Sequence, residues 1–428
     1  MIDSNNILSL LGIPSEKIAF FDSFRTSEDS SFVEISLIDD RPKCPCCNSS
    51  NVKIHGYYKV TINNSIIKTQ KLYVTVDMRR YICKDCGKTF KQTFPFYLPH
   101  KSISRAVEIS IIEALKDNVS YTFIARQYDV AVNTVISIFD KLPKQPRLQL
   151  PEVICVDEFH FSNKNHKKLK YPFVISNAFN GTIIDIIESR TWDYLRSYFC
   201  NISLNERSKV KYFVSDMYEG YRTLKKAFFP NSVHIVDHFH IMKLFNNAIQ
   251  KVRTRIMKRE EYGSKEYIFL KKHWKLFVCN RNELRKYRHV NERTGVVTDW
   301  EILVDKTLNY YPELFLVYWA REDFAKRVLK EQYWMETKNT IDFFIQKFGH
   351  SEILELQEIA KTFSNWYEEI INAYSKTTFG CYLSNALAEA NNNNIQTLID
   401  LQYGLGLFER MRNRVLYINR SKHEKPGR

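Results

Sequence analysis

The sequence contains no apolar run approaching the roughly 18 residues needed to span a bilayer, and Met1 to Leu11 lacks the basic start and cleavage site of a secretory signal. These absences remove the membrane from the expected partners and lead us to expect a cytoplasmic, nucleoid-associated protein. There is no internal repeat and no long low-complexity tract, the run Asn391 to Asn394 being the nearest approach to one. An even set of cysteines is missing too. There are nine, and five of them (Cys44, Cys46, Cys47, Cys83, Cys86) crowd into one N-terminal region. In a reducing compartment that clustering indicates metal ligation and not disulfides. The scattered Cys155, Cys200, Cys279 and Cys381 read as ordinary buried thiols.

What is present is a chain of 428 residues, 44% hydrophobic. That is enough for more than one core and roughly two to four domains. Lys plus Arg outnumber Asp plus Glu by 63 to 48, giving a net charge of +15 and a pI near 9.2. Such a balance favours a polyanionic partner, and away from membranes double-stranded DNA is the expected one.

Residues 1–40 carry weak helical and extended signals and no assigned chemistry. Over 41–99, turn residues alternate with short β-rich runs, Ser65 to Lys68 and Lys71 to Tyr81, between two cysteine pairs. Over 100–145 the apolar residues take helical spacing (Ile109, Ile112, Leu115; then Ile124, Ala125; then Val132, Val135, Ile136, Phe139), which predicts three short helices. Leu142 to Pro151, with Pro143, Pro146 and Pro151, reads as a linker. Val153 to Phe161, Tyr171 to Phe179 and Thr182 to Ser189 are β-rich, with a hairpin signal at Asn180-Gly181. Apolar strands Val210 to Ser215 and Val233 to Val236 follow, each after a helical segment. The pattern predicts a mixed α/β sheet over 151–237, a helical insertion without strands over 238–374, and closing helices over 375–420 parted near Gly404. Five of the six tryptophans lie after position 270, and filling the core of the insertion is their expected role.

Cys44-Pro-Cys-Cys47 and Cys83-Lys-Asp-Cys86 are C-x-x-C units thirty-five residues apart. Four thiolates at these spacings close a tetrahedral zinc site that contributes folding energy and has no open position for catalysis. Cys46 is the alternative to Cys47. No βαβ pattern surrounds either unit, so a thioredoxin-like pair does not fit. In the next segment, Ser120 to Leu142 places one helix, a break near Tyr128-Asp129 and a second helix so that Asn133 and Thr134 face outward, as a DNA-reading helix-turn-helix would. A plain helical hairpin is the competing reading.

The most informative residues are acids at the ends of apolar strands. Asp157 follows Val-Ile-Cys-Val, and Asp216 follows Tyr-Phe-Val-Ser. An unpaired buried charge is costly, and a divalent cation is one compensating partner. Magnesium takes oxygen ligands and keeps positions open for phosphate. Helix capping is the alternative for Asp216 and for Asp237. Glu389 lies on a predicted helix able to pack back on the sheet. His238 and His240 are expected to bond to neighbours and not to hold zinc, while Glu158 and Glu219 lie near proposed ligands. Lys251, Arg253, Arg255, Lys258 and Arg259 form one basic cluster and Lys271 to Arg288 another, either solvated or tracking a DNA backbone.

The order C-P-x-C, C-x-x-C-G-K-x-F, helix-turn-helix, V-D-E, S-D-M-x-x-x-Y, V-D-x-F-H and S-N-x-x-x-E-x-x-N-N resembles insertion-sequence transposases of the ISL-three family over about residues 41 to 418. The resemblance implies an RNase H-like core with an Asp, Asp, Glu triad at Asp157, Asp216 and Glu389 holding two Mg2+ or Mn2+ ions, with Asp237 as second choice, beside structural Zn2+. It also implies metal-dependent cleavage and strand transfer after binding of terminal inverted repeats, with two or more copies assembled on DNA. The chain departs from the family after Glu389, where Asn394, Gln396, Ile399 and Asp400 stand at positions that usually include Lys and Arg. A zinc-containing DNA-binding regulator without catalysis is the competing function.

Overall fold

The computed structural model describes residues 8–9, 12–27, 29–65, 71–97, 101–163, 166–284, 288–290, 297–328, 333–401 and 405–424. Of the stretches read above, Ile66 to Lys68, Arg285 and Lys286 of the second basic cluster, and Gly404 lie outside the described residues. The chain divides into two compact units. One comprises Met1–Pro146, Ser162–Lys167 and Asn394–Arg428; the other comprises Arg147–Phe161 and Lys168–Asn393. No helix among the described residues is long and apolar enough to cross a membrane.

The first unit begins with a five-stranded sheet built from β1 (Ile18–Thr26), β2 (Ser30–Leu37), β3 (Val52–Asn63), β4 (Lys71–Cys83) and β5 (Thr89–Lys91). The order is β1-β2-β4-β3, with β5 also on β4 and β2 running parallel to β4. Residues before Arg41 thus supply two of the strands. Val33, Ile35 and Leu37 alternate on β2, and Leu72, Val74, Val76 and Met78 alternate on β4. The period of two sends both sets to one face, where Phe94 and Phe96 cover them.

Three short helices follow: α1 (Arg105–Ala114), α2 (Tyr121–Gln127) and α3 (Val132–Asp140). Ser104 and Ser120 start the first two by accepting from the N–H groups of Val107 and Phe123. The turn between α2 and α3 holds Asp129 at φ 51°, a left-handed conformation that Asp tolerates. It is pinned to the sheet by Asn63 Nδ2, which donates to Tyr128 O at 2.9 Å and Asp129 O at 2.8 Å. The closing helix of this unit, Phe408–Glu424, inserts the fully buried Arg414 among these helices. Arg414 Nη2 donates to Asp117 O at 3.1 Å, and its guanidinium lies over the rings of Tyr121 and Phe139.

The second unit begins with β6 (Val153–Glu158); the small hairpin β7 (Phe161–Asn163) and β8 (His166–Lys170) follows it in the chain, its residues Ser162–Lys167 counting with the first unit. The main sheet continues with β9 (Phe173–Asn177), β10 (Ile183–Ile187), α4 (Trp192–Cys200), α5 (Leu204–Arg207), β11 (Tyr212–Ser215), α6 (Glu219–Phe228) and β12 (Val233–Val236). Its strand order is β10-β9-β6-β11-β12. β6, β11 and β12 run parallel, and β9 and β10 run antiparallel to their neighbours, the mixed sheet of an RNase H-like core. Gly181, at φ 73°, makes the β9–β10 turn. Ile154 and Val156 pack against α4 and α6, while Val153 and Cys155 face the opposite core.

That opposite core is largely helical: α7 (His238–Met257), α8 (Lys265–Lys272), α9 (Arg281–Leu284), then β13 (Arg288–Val290) and β14 (Val297–Asp299), α10 (Trp300–Tyr310), α11 (Pro312–Val328), α12 (Trp334–Gly349), α13 (Leu354–Asn365) and α14 (Tyr367–Ala373). Ile241, Phe245, Ala248, Ile249, Val252 and Ile256 form a helical stripe on α7, and Phe245 stacks on Phe324 with ring centroids 5.0 Å apart. Last come α15 (Ala386–Leu401), whose residues through Asn393 belong to this unit, and α16, the closing helix Phe408–Glu424.

Three sequence expectations need correction. The insertion does contain strands, the β13–β14 hairpin, whose three-residue arms are too short to register as a periodic signal. Of the five late tryptophans only Trp366 is buried. Trp274, Trp319 and Trp334 are exposed, the first two under the cations of Lys275 and Arg281 and the third bonded through Nε1 to Asn372. Among the scattered cysteines Cys155 is buried but Cys200 is exposed, because it ends α4 on the side away from Leu195 and Phe199.

Candidate metal centres

The four thiols sit in two turns of one backbone design. In the first, Asn48 N–H donates to Cys44 O at 2.9 Å; in the second, Gly87 N–H donates to Cys83 O at 3.0 Å. Both donors have positive φ, 58° and 73°, which explains an Asn and a Gly directly after the pairs. The β3–β4 ladder pairs Val52 with Cys83 and brings the turns face to face. Cys44 Sγ to Cys86 Sγ and Cys47 Sγ to Cys83 Sγ are each 3.6 Å. All four sulfurs lie within 4.8 Å of one another. Thiolates at about 2.3 Å from a tetrahedral Zn2+ stand about 3.8 Å apart, so the cluster fits zinc. Cys46 is exposed and outside the group. The backbone N–H groups of Cys47 and Cys46 draw the Cys44 thiol down to about 7, toward the deprotonated form that zinc takes.

The acids gather at the C-terminal ends of three neighbouring parallel strands. The β6–β11 register pairs Val214 with Cys155, and two residues further on it sets Asp216 alongside Asp157. The β11–β12 register pairs Ser215 with Val236, and Asp237 N–H donates to Ser215 O at 3.0 Å. Alternation along β6 puts Asp157 on the face shared by Val153 and Cys155. Capping does not account for these side chains. Helix α6 starts after Tyr218, and Asp237, although at the cap of α7, makes no side-chain cap bond.

Positive charge is scarce in this cluster. His240 Nε2 lies 3.0 Å from Asp216 Oδ2 and its Nδ1 lies 3.4 Å from Asp237 Oδ2. Hydrogen bonds to Asp216 and then Asp237 lift the imidazole to about 10, making it a cation. Burial, then the charge of Asp216, pushes Asp157 up to about 7. Burial also acts against Asp237, but the His240 bond and the Asn385 N–H at 3.2 Å outweigh it and hold that carboxyl below its usual range. Asp216 Oδ1 is buried with no hydrogen-bond partner among the described residues. A divalent cation would satisfy that oxygen and relieve the charge at Asp157, so the residues fit one. Glu158 is held by Arg190 and Tyr221 and faces away from this role.

Glu389 lies exposed on the first turn of α15. Three residues on, about 4.5 Å along the helix axis, Asn392 Nδ2 donates to Asp157 Oδ2 at 2.8 Å and to Glu158 O at 3.2 Å. Beside it, Asn391 Nδ2 donates to Gly181 O at 2.8 Å. The structure therefore brings Asp157, Asp216 and Asp237 to one sheet edge and lays the Glu389 helix on it. The carboxylates do not converge as the thiols do, since the four cysteines are the only described group of three or more such ligands within 4.8 Å. Sequence reading expected His240 to bond to its neighbours, as it does, but assigned no role to Asn391 and Asn392. The two asparagines stood one helical turn past Glu389, a usable signal hidden in the polyasparagine run.

On α3, Asn133 is exposed and Thr134 half-buried. The basic cluster of α7 is largely occupied within the protein. Arg253 is half-buried and donates to Leu270 O at 2.6 Å. Arg255 pairs with Glu355 and Glu313, Arg259 with Glu313 at 3.1 Å and Lys251 with Glu358 at 2.8 Å. Lys258 is exposed.

A parallel-centred mixed sheet with acids at its strand ends, in a chain that also carries a zinc ribbon, defines the DDE class of transposase. Residues 154–415 match the DDE transposase family of the ISL3 type, and residues 40–86 match the zinc-finger of transposase IS204/IS1001/IS1096/IS1165. The first match spans more than half of the chain, and the protein belongs to the ISL3 family of transposases. Among curated proteins no match is found.

Proposed function

We propose that this transposase cleaves the ends of an insertion sequence and joins them to target DNA, with Asp157, Asp216 and Glu389 as the ligands of two divalent cations, magnesium or manganese, and Asp237 behind them. The observation that carries the reading is the row of acids on adjoining parallel strand ends, one with a buried oxygen that meets no donor among the described residues. When bound, the cations supply an activated water and charge compensation for the leaving oxygen in an in-line displacement at phosphorus. Asp157 and Asp216 fix the ligand oxygens from the rigid sheet, and α15 presents Glu389 from above. His240 holds Asp216 and Asp237 in place through both ring nitrogens. In strand transfer the freed 3′-hydroxyl takes the place of water, so no protein nucleophile is required.

Recognition of the terminal inverted repeats falls to α3, with Asn133 and Thr134 toward base edges, and to the zinc ribbon. Lys251, Lys258 and Arg259, the more exposed cations of that cluster, follow the phosphate backbone, whereas Arg253 and Arg255 brace the insertion. Joining two ends calls for at least two copies assembled on DNA.

The test is an Asp157→Asn variant in a Mg2+-dependent cleavage and strand-transfer assay on the element's flanking DNA. DNA binding stays intact while cleavage falls by on the order of 10³-fold or more. A variant that cleaves like the parent overturns the reading, and so does a parent protein that binds the ends without cutting them, as a regulator would. Cutting without joining would reduce the protein to a nuclease.

A further inference from the structure

We infer that Asn392 is a positioning residue for Asp157: its side-chain amide fixes the carboxylate in the orientation in which it can serve as a metal ligand. The inference rests on the proposed role of Asp157 and adds a residue that the three-acid description leaves out. The orientation of the amide follows from its neighbours. Its nitrogen faces two acceptors, Asp157 Oδ2 at 2.8 Å and Glu158 O at 3.2 Å. Turned over, it would set an oxygen against both of them. One N–H therefore holds the carboxylate while the other holds the backbone of the next residue, and together they fix Asp157 relative to the end of β6. The outer oxygen, Asn392 Oδ1, is buried and meets no donor among the described residues.

The neighbouring asparagine separates positioning from helix docking. Asn391 Nδ2 reaches Gly181 O at 2.8 Å and Ser176 Oγ at 3.4 Å, so it ties α15 to the β9–β10 turn and touches no acid. If Asn392 only docks the helix, losing either asparagine has the same consequence. If it orients a ligand, only the loss of Asn392 reaches the metal, because groups that bond to a ligand tune its affinity by about 10- to 100-fold.

The experiment uses the full-length, zinc-loaded chain and measures Mn2+ binding by calorimetry and by electron paramagnetic resonance without DNA, next to cleavage kinetics. Asn392→Leu keeps the approximate volume and removes the amide; Asn392→Ala is the fallback if the leucine variant does not fold. The Mn2+ dissociation constant rises about 10-fold or more in the Asn392 variant, and cleavage kcat falls with KM for DNA unchanged. Asn391→Leu lowers the melting temperature and leaves Mn2+ affinity within about twofold. Equal Mn2+ affinity in the Asn392 variant and the parent, or equal losses from both asparagine variants, overturns the inference. Asp157→Asn serves as the control. If it too binds Mn2+ like the parent, the reading of Asp157 as a ligand fails; if it alone loses binding, only the role of Asn392 fails.

Discussion

The thiol cluster and the acid cluster manage charge in opposite ways. The four sulfurs crowd within 4.8 Å of one another, and each pair comes from a four-residue turn. The acids come from positions as far apart as 157 and 389 and stay further apart, and Asp216, Asp237 and Asp157 already have partners in His240, Asn385 and Asn392. The first arrangement makes sense only as part of folding around a metal. The second is supported by the protein's own pairs, and in the proposed function its cations would serve chemistry and not folding.

The strongest way to break this contrast is to remove the zinc. Zinc binding of this kind is worth about 10–16 kcal/mol, comparable to or larger than the stability of a domain. Chelation, or Cys83→Ser, should abolish amide-exchange protection in β3 and β4 and remove DNA binding with it. Retained protection in zinc-free protein would show that the cluster is not a folding element.

A smaller effect probes the scaffold of the acid site. Glu369 on α14 takes Arg222 Nε at 2.9 Å, has His234 Nδ1 at 3.7 Å, and Arg222 lies 3.7 Å over Trp366. Burial raises this carboxyl, yet His234 and Arg222 more than offset it and bring it to about 2 from 4.5. A folded value below the unfolded one means the stabilisation is complete above 4.5 and lost as pH falls through about 2. Glu369→Gln should cost about 2–3 kcal/mol at neutral pH and flatten the pH dependence of urea unfolding across that acid window. An unchanged slope would mean that this pair does not support the sheet beneath the acids.

The smallest effect sharpens the contrast from the other side. Mg2+ at ten times its dissociation constant should add only about 1.4 kcal/mol by mass action, seen as a modest rise in melting temperature that Asp216→Asn removes. Unfolding of the zinc-loaded protein on withdrawal of Mg2+ would erase the distinction.

The thiol site was legible in the sequence because its geometry is local: two C-x-x-C turns followed by residues that accept positive φ. The apolar strands before Asp157 and Asp216 were legible for the same reason, through four-residue runs of buried side chains. The register that sets those two acids side by side was not, since parallel pairing joins segments some sixty residues apart and leaves no local trace. The strand carrying Val33, Ile35 and Leu37 left only a weak extended signal, and its partner β4 lies beyond β3 in the chain. The ion pairs of Arg255 were hidden for a similar reason. Glu313 and Glu355, which engage Arg255, lie 58 and 100 residues away, so no local pattern signals that pairing.

The buried guanidinium of Arg414 has a consequence for shortened forms of the chain. A polypeptide ending at Asn393 would keep every acid discussed above, yet it would leave the carbonyls of Asp117 and Val119 and the rings of Tyr121 and Phe139 around a hole. Frameshifts late in the gene would then unpack the helices around Tyr121 and Phe139 while leaving the strands that carry Asp157, Asp216 and Asp237 in place.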